Sequence, residues 1–304
     1  MPIQAGFGNG SFRTFGLGST KRKIGANVAL QYLVVAGGGG SAPGAYHWGA
    51  GGGGGSGGLR TGTYNTSSGV RMIATVGGGG TGATNGVNSS LSSPEGVWNN
   101  VFATGGGNGG FNSGPGVSGF PASTGGSGGG GAGNGSAPGQ AGNAGSYSPS
   151  EGNNGGDGYY MPALARSGGG GGGGAGGVGG NATVENDPRG GAGGAALAVS
   201  ITGTPVNYAG GGAGASDPAG KDGATSSPGG ATDQPGGTYG GGAGGKLFGS
   251  ASPSFPTLNG GAGVVILRSA IRATNTVGSP IETSVSGDWV YTFSGSGEIV
   301  LGTV

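Results

Sequence analysis

Residues 168–180 read Gly-Gly-Gly-Gly-Gly-Gly-Gly-Ala-Gly-Gly-Val-Gly-Gly, and versions of this stretch recur at 37–40, 51–58, 77–80, 105–110, 125–135, 190–194, 210–214, 236–245 and 260–263. An isolated run of this kind is ordinarily a flexible linker, because glycine loses more backbone entropy on ordering than any other residue. Here the runs alternate with strand-like or aromatic-bearing segments of similar length, an organisation that a linker has no reason to adopt. An extended helix of three residues per turn, rising ~3.1 Å per residue, makes no hydrogen bonds of its own. With hydrogen in place of side chains, such rods can approach until their N–H and C=O groups pair, and buried backbone polar groups must find partners somewhere. The stretch therefore predicts packed polyglycine-II (PPII-like) rods held together by their backbones. Collagen is excluded, since no Gly-Xaa-Yaa phase is held and only 16 of the 304 residues are proline.

The rest of the composition agrees. With 91 glycines, 32% hydrophobic residues and 7% aromatics, the chain is too poor in apolar side chains to fill a conventional core of its length. Only 8% of residues are charged and the net charge is +1, which argues against charge-driven disorder. The absence of cysteine removes disulfides and thiolate metal sites. Met1-Pro2-Ile3-Gln4 opens without the basic and apolar regions of a Sec signal, and no run reaches the ~20 apolar residues of a membrane span. No membrane insertion is expected, and a protein of this kind acting outside a cell would leave by lysis or by another route, which suits a virion component. Arg13, Lys21, Arg22, Lys23, Arg60 and Arg71 precede the first acidic residue, Glu95. This basic third is either a solvated surface or a docking face for an acidic protein; nucleic-acid binding needs a higher charge density.

Three parts are expected. Residues 1–29 carry Phe7, Phe12 and Phe15, then Lys21, Arg22 and Lys23, with no glycine block, and read as an N-terminal attachment arm that orders against a partner or a symmetry mate. Residues 30–268 form the glycine-rich domain. Within it Ala29–Ala36 reads as a buried strand, Val70–Val76 as a half-buried one and Gly263–Arg268 as a third, with shorter candidates at 97–104, 197–202 and 206–209. In residues 269–304, Trp289–Phe293 and Glu298–Leu301 read as a β-hairpin around Ser294-Gly295-Ser296-Gly297. No segment has a capped helical period. The predicted class is all-β and irregular: a small β-sandwich of strands from both termini, locked by Leu33, Val35, Val265, Leu267, Trp289 and Phe293, anchors the rods, with almost no α-helix.

Four motifs occur in order: Tyr32-Leu33-Val34-Val35-Ala36-Gly37, Gly57-Gly58-Leu59-Arg60-Thr61-Gly62-Thr63-Tyr64, Ser200-Ile201-Thr202-Gly203-Thr204-Pro205-Val206-Asn207-Tyr208-Ala209-Gly210, and Gly263-Val264-Val265-Ile266-Leu267-Arg268. Over residues 30–268 the chain thereby resembles a glycine-rich domain family widespread in structural proteins of tailed phages, especially aquatic ones. Thr292-Phe293-Ser294-Gly295-Ser296-Gly297 looks like a strand pair that often precedes such domains, here following instead. A weaker, compositional likeness extends to phage tail-tip adhesins that pack polyglycine helices and display receptor-reading loops. The resemblance implies a virion protein of a tail or surface appendage, extracellular after lysis, bound to other virion proteins such as fibre or baseplate components. It also implies homo-oligomerisation, with a trimer favoured, and a host glycan or outer-membrane protein as receptor.

Little in the sequence suggests chemistry. Gly220-Lys221-Asp222 and Gly245-Lys246-Leu247 lack the Ser or Thr that holds Mg²⁺ in a phosphate loop. His47 is the single histidine, so neither a metal site nor a histidine base is indicated. Glu151, Asp157, Glu185, Asp187, Asp217, Asp222 and Asp233 sit among Gly, Pro, Ser and Asn, as solvated turn residues do. No catalytic residue, metal or cofactor is predicted. Recognition then falls to residues at the rod ends, with Tyr46, Trp48, Phe111, Phe120, Tyr147, Tyr159, Tyr160, Phe248 and Phe255 as receptor-binding candidates; each aromatic either plugs a gap over the bundle or contacts a receptor. The alternative function is a purely structural virion accessory, a head decoration or tail-connecting protein with no host-binding role.

Overall fold

The computed structural model describes residues 25, 27–41, 49–111, 121–164, 166–183, 188–217, 222–246 and 257–302. Fifteen strands run in chain order: β1 Asn27–Val35, β2 Leu59–Ser67, β3 Arg71–Thr75, β4 Ser89–Ser92, β5 Val101–Ala103, β6 Tyr159–Met161, β7 Arg166–Gly168, β8 Leu197–Val199, β9 Val206–Tyr208, β10 Ser216–Asp217, β11 Val264–Ser269, β12 Ala273–Val277, β13 Ile281–Val285, β14 Asp288–Phe293 and β15 Gly297–Leu301. The helical element among the described residues is one 3₁₀ turn at Pro162–Leu164, so the fold is nearly all β, as the missing helical periodicity predicts. Two five-stranded antiparallel sheets, ordered β13-β14-β11-β1-β2 and β12-β15-β3-β4-β5, hold most of the strands.

The apolar run of β1 divides between two clusters. Leu30, Tyr32 and Val34 join Val265, Leu267, Tyr291 and Phe293 of their own sheet and Met72, Leu91, Val101, Ile299 and Leu301 of the other. Leu33 and Val35 point the opposite way, with Leu59, Val264, Ile266 and Val290, beneath Ile201 and Tyr208 of the β8–β9 region. A strand covered on both faces reads as a continuous apolar run, which is why Tyr32-Leu33-Val34-Val35 shows no alternation. Leu33 and Val35 are therefore assigned to the second cluster, and Trp289 is only partly buried at the edge of the first.

The C-terminal hairpin expected from Trp289–Phe293 and Glu298–Leu301 does not form. β14 pairs with β11 and β13, and β15 with β12 and β3. The connection between them passes from one sheet to the other, so that Tyr291, Phe293, Ile299 and Leu301 all enter the same core. The hairpin in this region is β13–β14, closed by Ser286 and Gly287 at φ 51° and 87°. Two consecutive left-handed residues make the turn whose twist suits paired strands. β1 also starts earlier than expected: Asn27 and Val28 pair with Ser67 and Thr66, and Val28 is buried.

Between the sheets' connections the glycine segments pair with neighbours every third residue. From 36–41, Ala36 and Gly39 donate to Gly58 and Gly55, Gly37 and Gly40 to Val87 and Thr84, and Gly38 and Ser41 to Gly261 and Leu258. From 51–58, Gly51, Gly54 and Gly57 donate to Lys246, Ala243 and Gly240; Gly52, Gly55 and Gly58 to Gly110, Gly107 and Thr104; Gly53 and Ser56 to Gly170 and Gly173. The 168–175 segment does the same, sending Gly169, Gly172 and Ala175 to Ala215, Gly212 and Ala209. Such spacing satisfies buried backbone groups without ladders of side chains between them. It also requires hydrogen at most Cα atoms: a Cβ on Gly172 would overlap the Gly54 carbonyl and stand 2.8 Å from the Gly55 nitrogen. Where two side chains do occur inside, Ser56 and Ser127, their hydroxyls hydrogen-bond at 2.9 Å.

Amides of 169–175 are accordingly expected to exchange with solvent deuterium far more slowly than those of the exposed Ser294–Ser296 connection. Exchange at coil rates across 169–175 would mean that these segments are linkers after all.

Candidate functional site

The direction of the glycine segments separates two ends of the molecule. β1 runs into 36–41, 51–58 runs into β2, β5 runs into 104–110, and 258–263 runs into β11, so their other ends lie away from the sheets. There a web of hydrogen bonds joins the segment tips: Ser41 N–H donates to Leu258 O, Gly51 to Lys246, Gly52 to Gly110, Gly109 to Gly40, Gly133 to Ala50 and Ala215 to Gly51. Ala50 N–H donates to the Ser167 hydroxyl of β7 at 2.9 Å, and Thr183 to Arg189 at 3.1 Å.

The described residues on either side of 42–48, 112–120, 184–187, 218–221 and 247–256 lie among these tips. Tyr46, Trp48, Phe120, Phe248 and Phe255 belong to those segments and lie outside the described residues, as do His47, Glu185, Asp187 and Lys221 and the arm residues Phe7, Phe12, Phe15, Lys21, Arg22 and Lys23. Phe111 closes the 104–110 segment at this end and is partly buried. Tyr159 and Tyr160 are half-buried on β6, opposite Gly168 and Ser167 of β7, and share the same end.

Tyr147 does not. The guanidinium of Arg60, on β2, lies 4.0 Å from its ring centroid, so this tyrosine is packed at the sheet end and separated from the other candidates. A cation over the ring face is held by the aromatic quadrupole, and here it fastens the 143–151 loop to β2. The same loop holds a second departure from expectation. Glu151 is not a solvated turn residue but is 1% exposed. Its carboxylate accepts N–H bonds from Thr104 at 2.8 Å and Gly145 at 3.1 Å, and its carbonyl accepts one from Leu59 at 2.8 Å. Gly58 must be bare because a Cβ there would meet this carboxylate.

The acids nearer the segment tips are engaged in local structure. Asp157 Oδ1 accepts from Gly139 N–H at 2.8 Å, and Asp222 Oδ1 from Ser216 N–H at 2.9 Å. Burial raises the pKa of Asp217 on β10, and the Arg166 guanidinium on β7 partly offsets that rise. This acid and base are brought near one another by β7–β10 pairing, which joins segments far apart in sequence and left no local signal. Lys246 is buried, with its carbonyl bonded to Gly51. Among the described residues no group of three or more His, Asp or Glu could hold a metal ion, and no helix is long and apolar enough to cross a membrane.

Compared with known families, residues 15–270 match a glycine-rich domain. The matched span begins inside the stretch assigned above to an attachment arm and takes in the glycine segments and β1 to β11. No curated protein and no solved structure matches the chain.

Proposed function

We propose that this chain, which belongs to the glycine-rich domain family, is a non-enzymatic structural protein of a phage particle, a tail-fibre or adhesin subunit that presents loops to a host surface. In this reading the segments bonded at every third residue are polyglycine-II rods, and the two five-stranded sheets around the shared core are a β-sandwich that anchors them. The observation that carries the proposal is that the described residues flanking five connecting segments meet at the end remote from the sheets, and that three of these segments bear aromatic residues in sequence: Tyr46 and Trp48, Phe120, and Phe248 and Phe255. A platform cross-linked through its backbone offers recognition loops a fixed base, and variable function concentrates on such loops.

Saturable binding of the protein to intact host cells is the test. Replacing 42–48 and 247–256 by short Gly-Ser connections is expected to abolish binding while leaving the melting temperature within a few degrees. Binding that persists, or binding restricted to other virion components, would replace the receptor role by a purely structural one.

The attachment role of the N-terminal arm is a separate part of the proposal, with its boundary moved to Gly25 by the start of β1. Removing residues 1–24 is expected to leave stability unchanged and to prevent incorporation into the particle or the oligomer. Removing 1–29 deletes buried Val28 and the paired Asn27–Ala29 as well, and should cost about 1.5–3 kcal/mol. Normal assembly of the shorter protein would refute the arm.

A further inference from the structure

A cleft of about 530 Å³ lies beside β9, lined by Val206, Asn207, Ser227, Pro228, Thr238 and Tyr239 among others, none of them charged. Its wall contains the one aromatic residue at positive φ among the described residues. Tyr239 has φ 70°, whereas the other described non-glycine residues at positive φ are serines, Asn143, Ala209 and Asp233. A bulky side chain is strained in this region, and glycine would remove the strain. The neighbouring sequence Gly236-Gly237-Thr238-Tyr239-Gly240-Gly241 is otherwise mostly glycine, and of its two residues at positive φ, Tyr239 and Gly240 at 80°, the first carries a large side chain. The ring is tilted against buried Tyr208 at 5.3 Å and is 36% exposed toward solvent.

Backbone hydrogen bonds tie the floor around it together. Ala209 N–H donates to Tyr239 O at 2.9 Å, Gly237 N–H to Pro228 O at 2.7 Å and Gly230 N–H to Gly242 O at 2.8 Å. Among the described residues, by contrast, the side chains of Asn207, Ser227 and Thr238 make no hydrogen bond. An amide and two hydroxyls, able both to donate and to accept, thus stand unengaged around an aromatic face and a pair of proline rings.

We infer that this cleft is a binding site for a neutral saccharide, with the Tyr239 ring stacked on the apolar face of a sugar and Asn207, Ser227 and Thr238 hydrogen-bonding its hydroxyls. The absence of charge in the lining disfavours acidic sugars and phosphates, and the mixture of one aromatic platform with convergent neutral polar groups is the chemistry a pyranose requires. The site belongs to the β8–β9 side of the molecule and stands independently of the loops proposed for receptor binding.

The test is a panel of neutral oligosaccharides of glucose, galactose, mannose and N-acetylglucosamine, with a sialylated trisaccharide as charged comparator, followed by calorimetric titration of the whole protein. At least one neutral sugar should bind, and the sialylated one should not bind through this cleft. Tyr239→Gly removes the ring and the strain together: affinity should fall about tenfold or more while the melting temperature holds or rises. Tyr239→Phe should retain most of the affinity, and Asn207→Ala should lower it several-fold. The proposal is overturned if no neutral sugar binds, if Tyr239→Gly binds as tightly as the parent, or if that variant is strongly destabilised with its folded fraction binding normally. The last result would make Tyr239 a lid on Tyr208 and nothing more.

Discussion

Gly172→Val is expected to destabilise the protein by about 3 kcal/mol or more, or to prevent folding, and Gly172→Ala to lose a substantial part of that. The first carbon of any side chain at this position meets the Gly54 carbonyl, and the obstacle is backbone, which cannot rotate away as a side-chain tip would. Moving the backbone would in turn break the bonds from Gly172 to Gly212 O and from Gly212 to Gly54 O. Gly78→Ala is the matched control. Its Cβ would find nothing within 4 Å, and the residue is exposed, so stability should change by less than about 0.5 kcal/mol. Urea unfolding of the three variants decides the matter, and equal tolerance at 172 and 78 would refute close packing of the glycine segments.

Glu151→Ala should cost about 3 kcal/mol or more. The substitution strips the acceptors from the part-buried N–H groups of Thr104 and Gly145, at a cost of roughly 1–3 kcal/mol for each that is left without a partner, and it leaves a void where the buried carboxylate stood beside Gly58. Glu151→Gln keeps the shape but turns one acceptor into a donor facing a donor, so its loss should be intermediate. Because Glu151 joins the end of β5, the start of β2 and the 143–151 loop, both variants should loosen Tyr147 from Arg60. Unchanged unfolding curves for both would show that the carboxylate holds nothing at this junction.

What could be read from the residues follows from which interactions leave a local trace. β1, β3 and β11 announced themselves because their apolar, β-branched runs are long enough to exceed background even in this composition. β2 and β4, LRTGTYNTS and SSLS, did not stand out as strands: they alternate small and polar residues, and they are strands because β1 and β3 pair with them. The partner of a strand is a long-range matter, which is why Trp289–Phe293 and Glu298–Leu301 were legible as strands and yet misjudged as partners of one another.

The candidate site divides in the same way. That aromatics cluster in the connections is visible in the residue order; which connections share an end depends on the pairing of glycine segments that are nearly identical in sequence. Tyr147 was separable from Tyr159 and Tyr160 only through Arg60, in a distant strand. Burial of Glu151 had no signal either, since a carboxylate among Ser, Pro, Gly and Asn looks the same whether water or backbone N–H groups surround it.

The recurrence of the same neighbour at every third N–H constrains how such a chain can change in length. Adding one residue in the middle of 51–58 would shift every later amide out of its place in that recurrence, so that groups now bonded to 104–110 would face 168–174 or 240–246 instead. Adding three would restore each amide to its own neighbour and merely lengthen the segment by one repeat. Insertions and deletions inside the glycine segments should therefore be tolerated in multiples of three and matched in the neighbouring segments, whereas the connections between them should accept any number.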